Sequence, residues 1–285
     1  MTGTLLSLGH GFSARALARR LGPAWNVIGT TRSEQKAEAL RDDGIEPRIW
    51  PGTDLRADIA AATHILASAG PGPAGDPFLP EIGEALAQAA PVWVGYLSTT
   101  GVYGDHAGGW VDEDTPLVPS TERGGRRVDA EAAWRGVAAR GGWPLHLFRL
   151  AGIYGPGRGP FAKVRKGEAR RIIKPGQVFS RIHVEDIAQV LAASIARPAE
   201  GVRAYNLCDD DPAPPQDVLA YAAELLGVPA PPEVPYDTAE MTPMARSFYA
   251  ENKRVRNDRI KDELGVVLRY PTYREGLQAL LRAEG

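Results

Sequence analysis

The chain has 285 residues, of which 44% are hydrophobic and 24% charged, and its net charge is −2. These values suit one large α/β domain, or a domain with a small lobe, and give no overall pull toward nucleic acid or an anionic membrane surface. The single cysteine, Cys208, excludes an internal disulfide and any cysteine-based metal site, and it fits a reducing, cytoplasmic setting. No window approaches ~18 uninterrupted apolar residues, so no membrane span is expected, and the first residues lack the basic region of a signal peptide.

Thr4 to Leu8 reads as a strand, followed by a helix, "GFSARALARRLG", closed by Gly22. Asn26 to Thr31 is a second strand, and "SEQKAEALRDDG" a second helix with Ser33 as N-cap. "EPRIW", "HILASA", "PVWVGYLST" and "HLFRLAGIYG" are further strands, the last after a helix near residues 127–139. Strand and helix alternate, which predicts parallel strands with crossover helices: a Rossmann-type, doubly wound sheet. Beyond residue 156 the pattern changes. Residues 158–174 are basic, "QVFSRIHV" reads as a strand and "EDIAQVLAASIA" as a helix. Seven prolines between Pro212 and Pro235 surround one helix, Gln216 to Leu226. The expected organisation is a dinucleotide-binding domain over 1–157 and a small C-terminal substrate lobe over 158–285, with about 178–207 returning to the main domain.

Gly9, Gly11 and Ala14 form G-x-G-x-x-A between a strand and a helix that Phe12 and Ser13 open. Gly9 permits the turn, Gly11 lets backbone amides approach a pyrophosphate, and Ala14 needs only to be small for helix–strand packing. A glycine-rich turn without ligand is the structural alternative. No carboxylate follows where NAD-specific proteins hold the ribose. "GTTRS" offers Arg32 instead, a cation suited to a 2′-phosphate, so NADP is expected ahead of NAD.

Taken in order, "GHGFSA", "LSTTGVYGD", "FRLAGIYGPGRG" and "SRIHVEDIA" resemble the extended short-chain dehydrogenase/reductase family, in an atypical form of its epimerase/dehydratase-like branch. The resemblance covers about residues 3–210, and the terminal "NKRVRNDRIKDELG" is similar too. It implies a nicotinamide cofactor and a Ser/Thr–Tyr–Lys catalytic group. Thr99 matches the hydroxyl residue, with Ser98 as the alternative. Asp54 and Leu55 match an adenine-contacting turn, Ala67 and Ser68 a segment along the cofactor, and Ala151 and Gly152 backbone near the nicotinamide. Family members often pair through two helices, which makes a homodimer an expectation.

The acid/base pair departs from the pattern. With the helix aligned on Glu131, Arg123 stands at the tyrosine and Arg127 at the lysine. No tyrosine occurs between Tyr103 and Tyr154, and no lysine between Lys36 and Lys163. Arginine keeps its proton near neutrality and cannot act as the base, yet it can donate to an anion, a carbonyl or a ribose. The plainer reading makes both arginines solvated residues at a helix start. Tyr103 is expected to pack, His183 to serve structure, and Asp209, Asp210 and Asp211 to form a solvated turn with no metal. The basic run headed by Arg158 suits an anionic substrate, or is simply a solvated face. No nucleic-acid module is recognisable. The expectation is an NADP-preferring oxidoreductase or epimerase-like protein acting on a small or nucleotide-linked substrate. The alternative is a non-catalytic NAD(P)-binding sensor.

Overall fold

The strands of the first half are apolar on both faces, because helices cover each side of the sheet they build. In the computed structural model, which describes residues 2–284, β1 (Gly3–Leu8) is followed by α1 (Phe12–Leu21), β2 (Trp25–Thr31), α2 (Glu34–Asp42) and β3 (Glu46–Ile49). Then come α3 (Arg56–Ala61), β4 (His64–Ala67), α4 (Leu79–Gln88) and β5 (Trp93–Thr99). A 3-10 turn over Thr100–Tyr103 leads to β6 (Trp110–Val111), α5 (Glu122–Gly141), β7 (Leu145–Leu150) and β8 (Gly152–Tyr154). The C-terminal part continues with α6 (Phe161–Arg165), β9 (Arg171–Ile173), β10 (Arg181–His183), α7 (Val184–Ala196) and β11 (Val202–Leu207). It ends with α8 (Pro215–Leu225), β12 (Glu233–Pro235), α9 (Pro243–Phe248), β13 (Arg254–Val255), α10 (Asp258–Leu264) and α11 (Tyr273–Glu284).

Seven strands form one parallel sheet in the order β11-β7-β5-β4-β1-β2-β3. Strand order reverses between β1 and β4, which opens a crevice at their carboxyl ends. Neighbouring residues of β1 serve opposite cores. Leu5 joins Leu17, Phe148, Ile187 and Leu191 under α1 and α7. Leu6 joins Ile65, Leu86, Tyr96 and Trp134 under α4 and α5. Residues 202–207 lie at the edge of the main sheet beside β7. A separate apolar cluster, built on Phe161, Val218, Tyr273 and Leu277, holds α6, α8 and α11 together as the lobe. Among the described residues, no helix is long and apolar enough to cross a membrane.

Several boundaries differ from the sequence reading, each for a local reason. α5 starts at Glu122, a turn before the expected residue 127, because the Thr121 hydroxyl accepts from Gly124 N at 3.1 Å. Its early glycine is needed for contact: a Cβ at Gly124 would fall 2.7 Å from the Gly101 carbonyl oxygen. "HLFRLAGIYG" divides into β7 and β8, since β8 leaves the sheet to pair with β10. Only Arg181–His183 of "QVFSRIHV" is strand. Ser33 occupies the N-cap of α2 without a side-chain bond to it.

A buried ion pair fixes α5 to the sheet. Ser98 on β5 and Arg149 on β7 are register partners, and both reach Glu131 of α5. The Ser98 hydroxyl donates to Glu131 Oε1 at 2.6 Å, and Arg149 Nη2 to Oε2 at 3.0 Å. Arg149 and Glu131 side chains are 3% and 2% exposed. Burial works against the Arg149 charge, but the bonds to Glu131 hold it above its ordinary pKa. Removing one partner leaves the other charge buried and alone. Glu131→Ala should therefore lower the unfolding free energy in urea by about 3–5 kcal/mol. Replacing both, with Glu131→Leu and Arg149→Met, should cost less than the single change. A single-mutant loss below about 1 kcal/mol, the range of an exposed pair, would show that this pair does not anchor the helix.

Candidate dinucleotide and active site

The glycine loop lies at the carboxyl end of β1, beside the crevice. Gly9 has φ +85° and approaches the loop after β4 so closely that a Cβ would sit 2.7 Å from the Ala69 Cβ. Thr30 completes the turn: its hydroxyl accepts from Gly9 N at 2.6 Å and its carbonyl from His10 N at 2.9 Å. The position above Gly11 is open, with only Gly9 O within 4 Å of a built Cβ. Gly11 is the N-cap of α1, and no side chain caps that helix. The first amides of α1, at Phe12 and Ser13, stand at the positive end of a helix that no side chain caps, an arrangement suited to a pyrophosphate. Ala14 is fully buried, as the tight helix–strand packing requires.

Arg32 is exposed at the end of β2 and forms no ion pair among the described residues. Leu55 is 1% exposed and belongs to the core, so only its backbone remains for an adenine. The Asp54 side chain is engaged: its Oδ1 accepts from Arg56 N and Nε, both at 3.0 Å. Ala67 is buried, and the Ser68 hydroxyl donates to Gly9 O, tying the two loops together. Ala151 is buried with its amide on Leu207 O, while Gly152 is exposed. A Cβ at Gly152 would fall 3.3 Å from Ser180 O.

Arg127 and Arg123 have different surroundings. Arg127 is half-buried and enters the crevice side of the sheet: Nη1 donates to Leu97 O at 2.5 Å and to the Tyr96 hydroxyl at 3.2 Å. A Cβ at Gly70, just after β4, would fall 2.8 Å from its guanidinium. The solvated-residue reading is therefore wrong for Arg127. Arg123, one turn earlier, is exposed and lies over the Phe248 ring of α9, 5.8 Å from its centroid. It faces the C-terminal lobe. Thr99 ends β5, and its Oγ1 accepts from Gly101 N at 3.2 Å, which leaves the hydroxyl proton free to donate.

Tyr103 and His183 are both engaged in the fold. The Tyr103 hydroxyl is buried, donates to Asn206 Oδ1 at 2.7 Å, and accepts from Arg149. Burial pushes Tyr103 up to about 12, and Tyr96 likewise. His183 caps α7, its Nδ1 accepting from Glu185 N at 3.2 Å. The three aspartates do not form a solvated turn. Asp209 is 1% exposed, and Asp210 and Asp211 pair with Lys261 and Arg274. Nor is the basic run one face. Arg165 pairs with Glu284, Arg171 with Glu233, and Lys174 donates to Tyr249 O. Arg158 lies over Phe12 and lines a cleft in the lobe.

No family model matches the chain. Its architecture is a parallel sheet with a glycine loop at the reversal point and a lobe of short helices. Protein YeeZ of Escherichia coli K12 is 30% identical over 281 residues, spanning 93% of this chain and 95% of that protein. The chain belongs to the family of Protein YeeZ. A solved conserved protein of unknown function from Silicibacter pomeroyi DSS is 62% identical over 99% of both chains, with a TM-score of 0.93. UDP-glucuronic acid 4-epimerase from Bacillus cereus, solved with UDP-glucuronic acid and NAD, shares the fold at 16% identity and a TM-score of 0.79 over 100% of both chains.

His10, between the two glycines, was not legible as special. It is 8% exposed, and neither ring nitrogen has a partner. Burial, aided by Arg15, lowers its pKa from 6.5 to about 4. As pH falls through this window, the unfolded chain takes up a proton at His10 that the folded chain refuses. The associated stability is present above pH 6.5 and lost toward pH 4. His10→Leu should therefore flatten the fall in urea midpoint between pH 7 and 4.5. Identical pH slopes in wild type and variant would refute this.

Proposed function

We propose that the chain binds NADP in preference to NAD along the crevice and acts as an oxidoreductase or epimerase-like enzyme on a small or nucleotide-linked anionic substrate. The observation that carries this reading is the glycine loop: Gly9 locked against Ala69, Gly11 open, and α1 uncapped behind it. Phe12 and Ser13 amides would hold the pyrophosphate, and Arg32 the 2′-phosphate. The backbone at Leu55, with Asp54, would border the adenine. Ala67, Ser68, Ala151 and Gly152 would line the cofactor's path. The bound nicotinamide would supply or accept a hydride. Thr99 would donate its hydroxyl proton to a substrate oxygen and so orient it. Arg127 would sit beside the nicotinamide ribose, and Arg123 would attract the substrate's negative charge from the lobe side. Fixed cations near a developing oxyanion stabilise it without transferring a proton.

A second reading, a non-catalytic NAD(P)-binding sensor, is favoured by one observation. Tyr96 of β5 and Tyr103 of the turn after it are both buried and engaged, so neither stands in for the base. Loss of acid/base help costs roughly 10²–10⁴-fold in rate.

One measurement tests the cofactor preference and a second separates the two readings. A charged hydrogen bond contributes roughly 1.5–3 kcal/mol. Arg32→Ala should thus weaken NADPH, titrated by fluorescence, by about ten- to a hundredfold while leaving NADH nearly unchanged. Equal losses for both would remove the 2′-phosphate role. Cofactor turnover with a panel of nucleotide-linked and small carbonyl substrates reads the chemistry. Arg123→Tyr combined with Arg127→Lys should raise carbonyl reduction at least about tenfold if only the proton relay is missing. No turnover by wild type or variant, with NADPH binding intact, would put the sensor reading first.

A further inference from the structure

Residues 240–248, which include α9, are held differently from the rest of the lobe. None of them is buried. Among the described residues, their groups hydrogen-bond only within 239–250. Arg246 Nη2 donates to Ala239 O at 2.9 Å, Ala245 N to the Thr242 hydroxyl at 3.2 Å, and the Ser247 hydroxyl to Met244 O at 2.8 Å. The chain on either side is fixed. Before α9, Tyr236 N donates to Ile173 O at 2.9 Å, and Ala239 is buried. After α9, Tyr249 is buried, with its ring centroid 5.3 Å from that of Phe179 and 5.5 Å from that of Tyr236. The Tyr249 carbonyl accepts from Lys174 Nζ. Glu251 then accepts from the Ser120 hydroxyl at 2.8 Å and from Lys253 Nζ, and its carbonyl from Gln177 Nε2 at 2.8 Å.

A segment with no buried side chain and only local hydrogen bonds, strung between two fixed ends, can move without unfolding the domain. The face it presents is apolar. Met244 and Phe248 stand four residues apart, and so on one side of α9. They are 66% and 54% exposed, the largest apolar groups that the lobe leaves in water. That side is turned toward the crevice. The Arg123 guanidinium, at the start of α5, lies 5.8 Å from the Phe248 ring centroid. Arg127, one turn further along α5, is the residue assigned above to the nicotinamide ribose.

We propose that α9 is a lid on the lobe side of the crevice, hinged at Ala239 and Tyr249, and that Met244 and Phe248 are its ligand-facing residues. The lid closes over the nicotinamide half of a bound dinucleotide, and the two side chains then shield that half from water. Closure of this kind strengthens the action of nearby fixed cations by excluding solvent. The proposal rests on the reading of the crevice as a dinucleotide site. The hinge itself does not, because it follows from how the free chain is held.

Hydrogen exchange read by mass spectrometry on the full chain tests the hinge without a ligand. Residues 241–248 should exchange at least about a hundredfold faster than α8. Saturating NADPH should then slow 241–248 at least about fivefold, while 2′,5′-ADP, which lacks the nicotinamide half, should leave them within about twofold. Met244→Ala combined with Phe248→Ala should weaken NADPH about three- to tenfold in calorimetry and leave 2′,5′-ADP unchanged. The melting temperature should not move, since neither side chain is buried. Exchange in 241–248 as slow as in α8 would overturn the proposal. So would equal protection by 2′,5′-ADP, no protection by NADPH that calorimetry shows to be bound, or an unchanged NADPH affinity in the double variant. Absence of NADPH binding in calorimetry would instead remove the cofactor reading, and exchange in the free chain would still decide the hinge.

Discussion

The contact between Glu131 and Arg149, with Ser98 as its third member, is what the candidate site depends on. It joins α5 to two adjacent strands through groups that are almost wholly withdrawn from water. Such a pair resists sliding, because a shift of either partner exposes a charge to a low-dielectric interior. The register of α5 against β5 and β7 is thereby set. Arg127, one turn toward the N-terminus of Glu131, is held at the Leu97 carbonyl. Arg123, a further turn away, is delivered to Phe248 of the lobe. The network extends through Arg149 to the Tyr103 hydroxyl, and from there to Asn206 of β11. The helix, the motif after β5 and the edge strand are thus one polar framework beneath the crevice.

Above that framework the crevice side of the sheet carries the half-buried guanidinium of Arg127. Arg123 is exposed over the Phe248 ring of α9, and arginine binds its proton too tightly to serve as a base near neutrality. Arg127 occupies the Leu97 carbonyl, which is left open where β5 runs past the end of β4. Its bonds to Leu97 O and Tyr96 are structural in the described state. The uncapped start of α1, the open position above Gly11 and the unpaired Arg32 are the features on which the proposed cofactor site rests.

The sheet is legible in the sequence because buried parallel strands are continuous apolar runs, and glycine turns and amphipathic helices separate them. The glycine loop is legible because three small residues have a mechanical reason to stand at that spacing. Less local features are not. α5 begins a turn early because Thr121 caps it and Gly124 nestles on Gly101, contacts that need the folded partner to be seen. Asp209 looks like one of three surface acids, yet the chain buries it beneath the lobe. The basic run from Arg158 to Lys174 looks like one charged face. A short helix, a turn and a strand point its members at different partners. Arg181 and Tyr154 lie 27 residues apart, and only the pairing of β8 with β10 brings their strands together.

The close approach of Gly9 to Ala69 has a consequence for motion. With Ser68 bonded to Gly9 and Arg127 pressed on Gly70, three segments from distant parts of the chain are in direct contact. None can open while the others stay in place, so their backbone amides should exchange with solvent through one shared fluctuation rather than three. Steadying any one of them steadies all. A phosphate resting on the start of α1 would then slow exchange at the N-terminal turn of α5, on the far side of the crevice, with no group of the ligand reaching it.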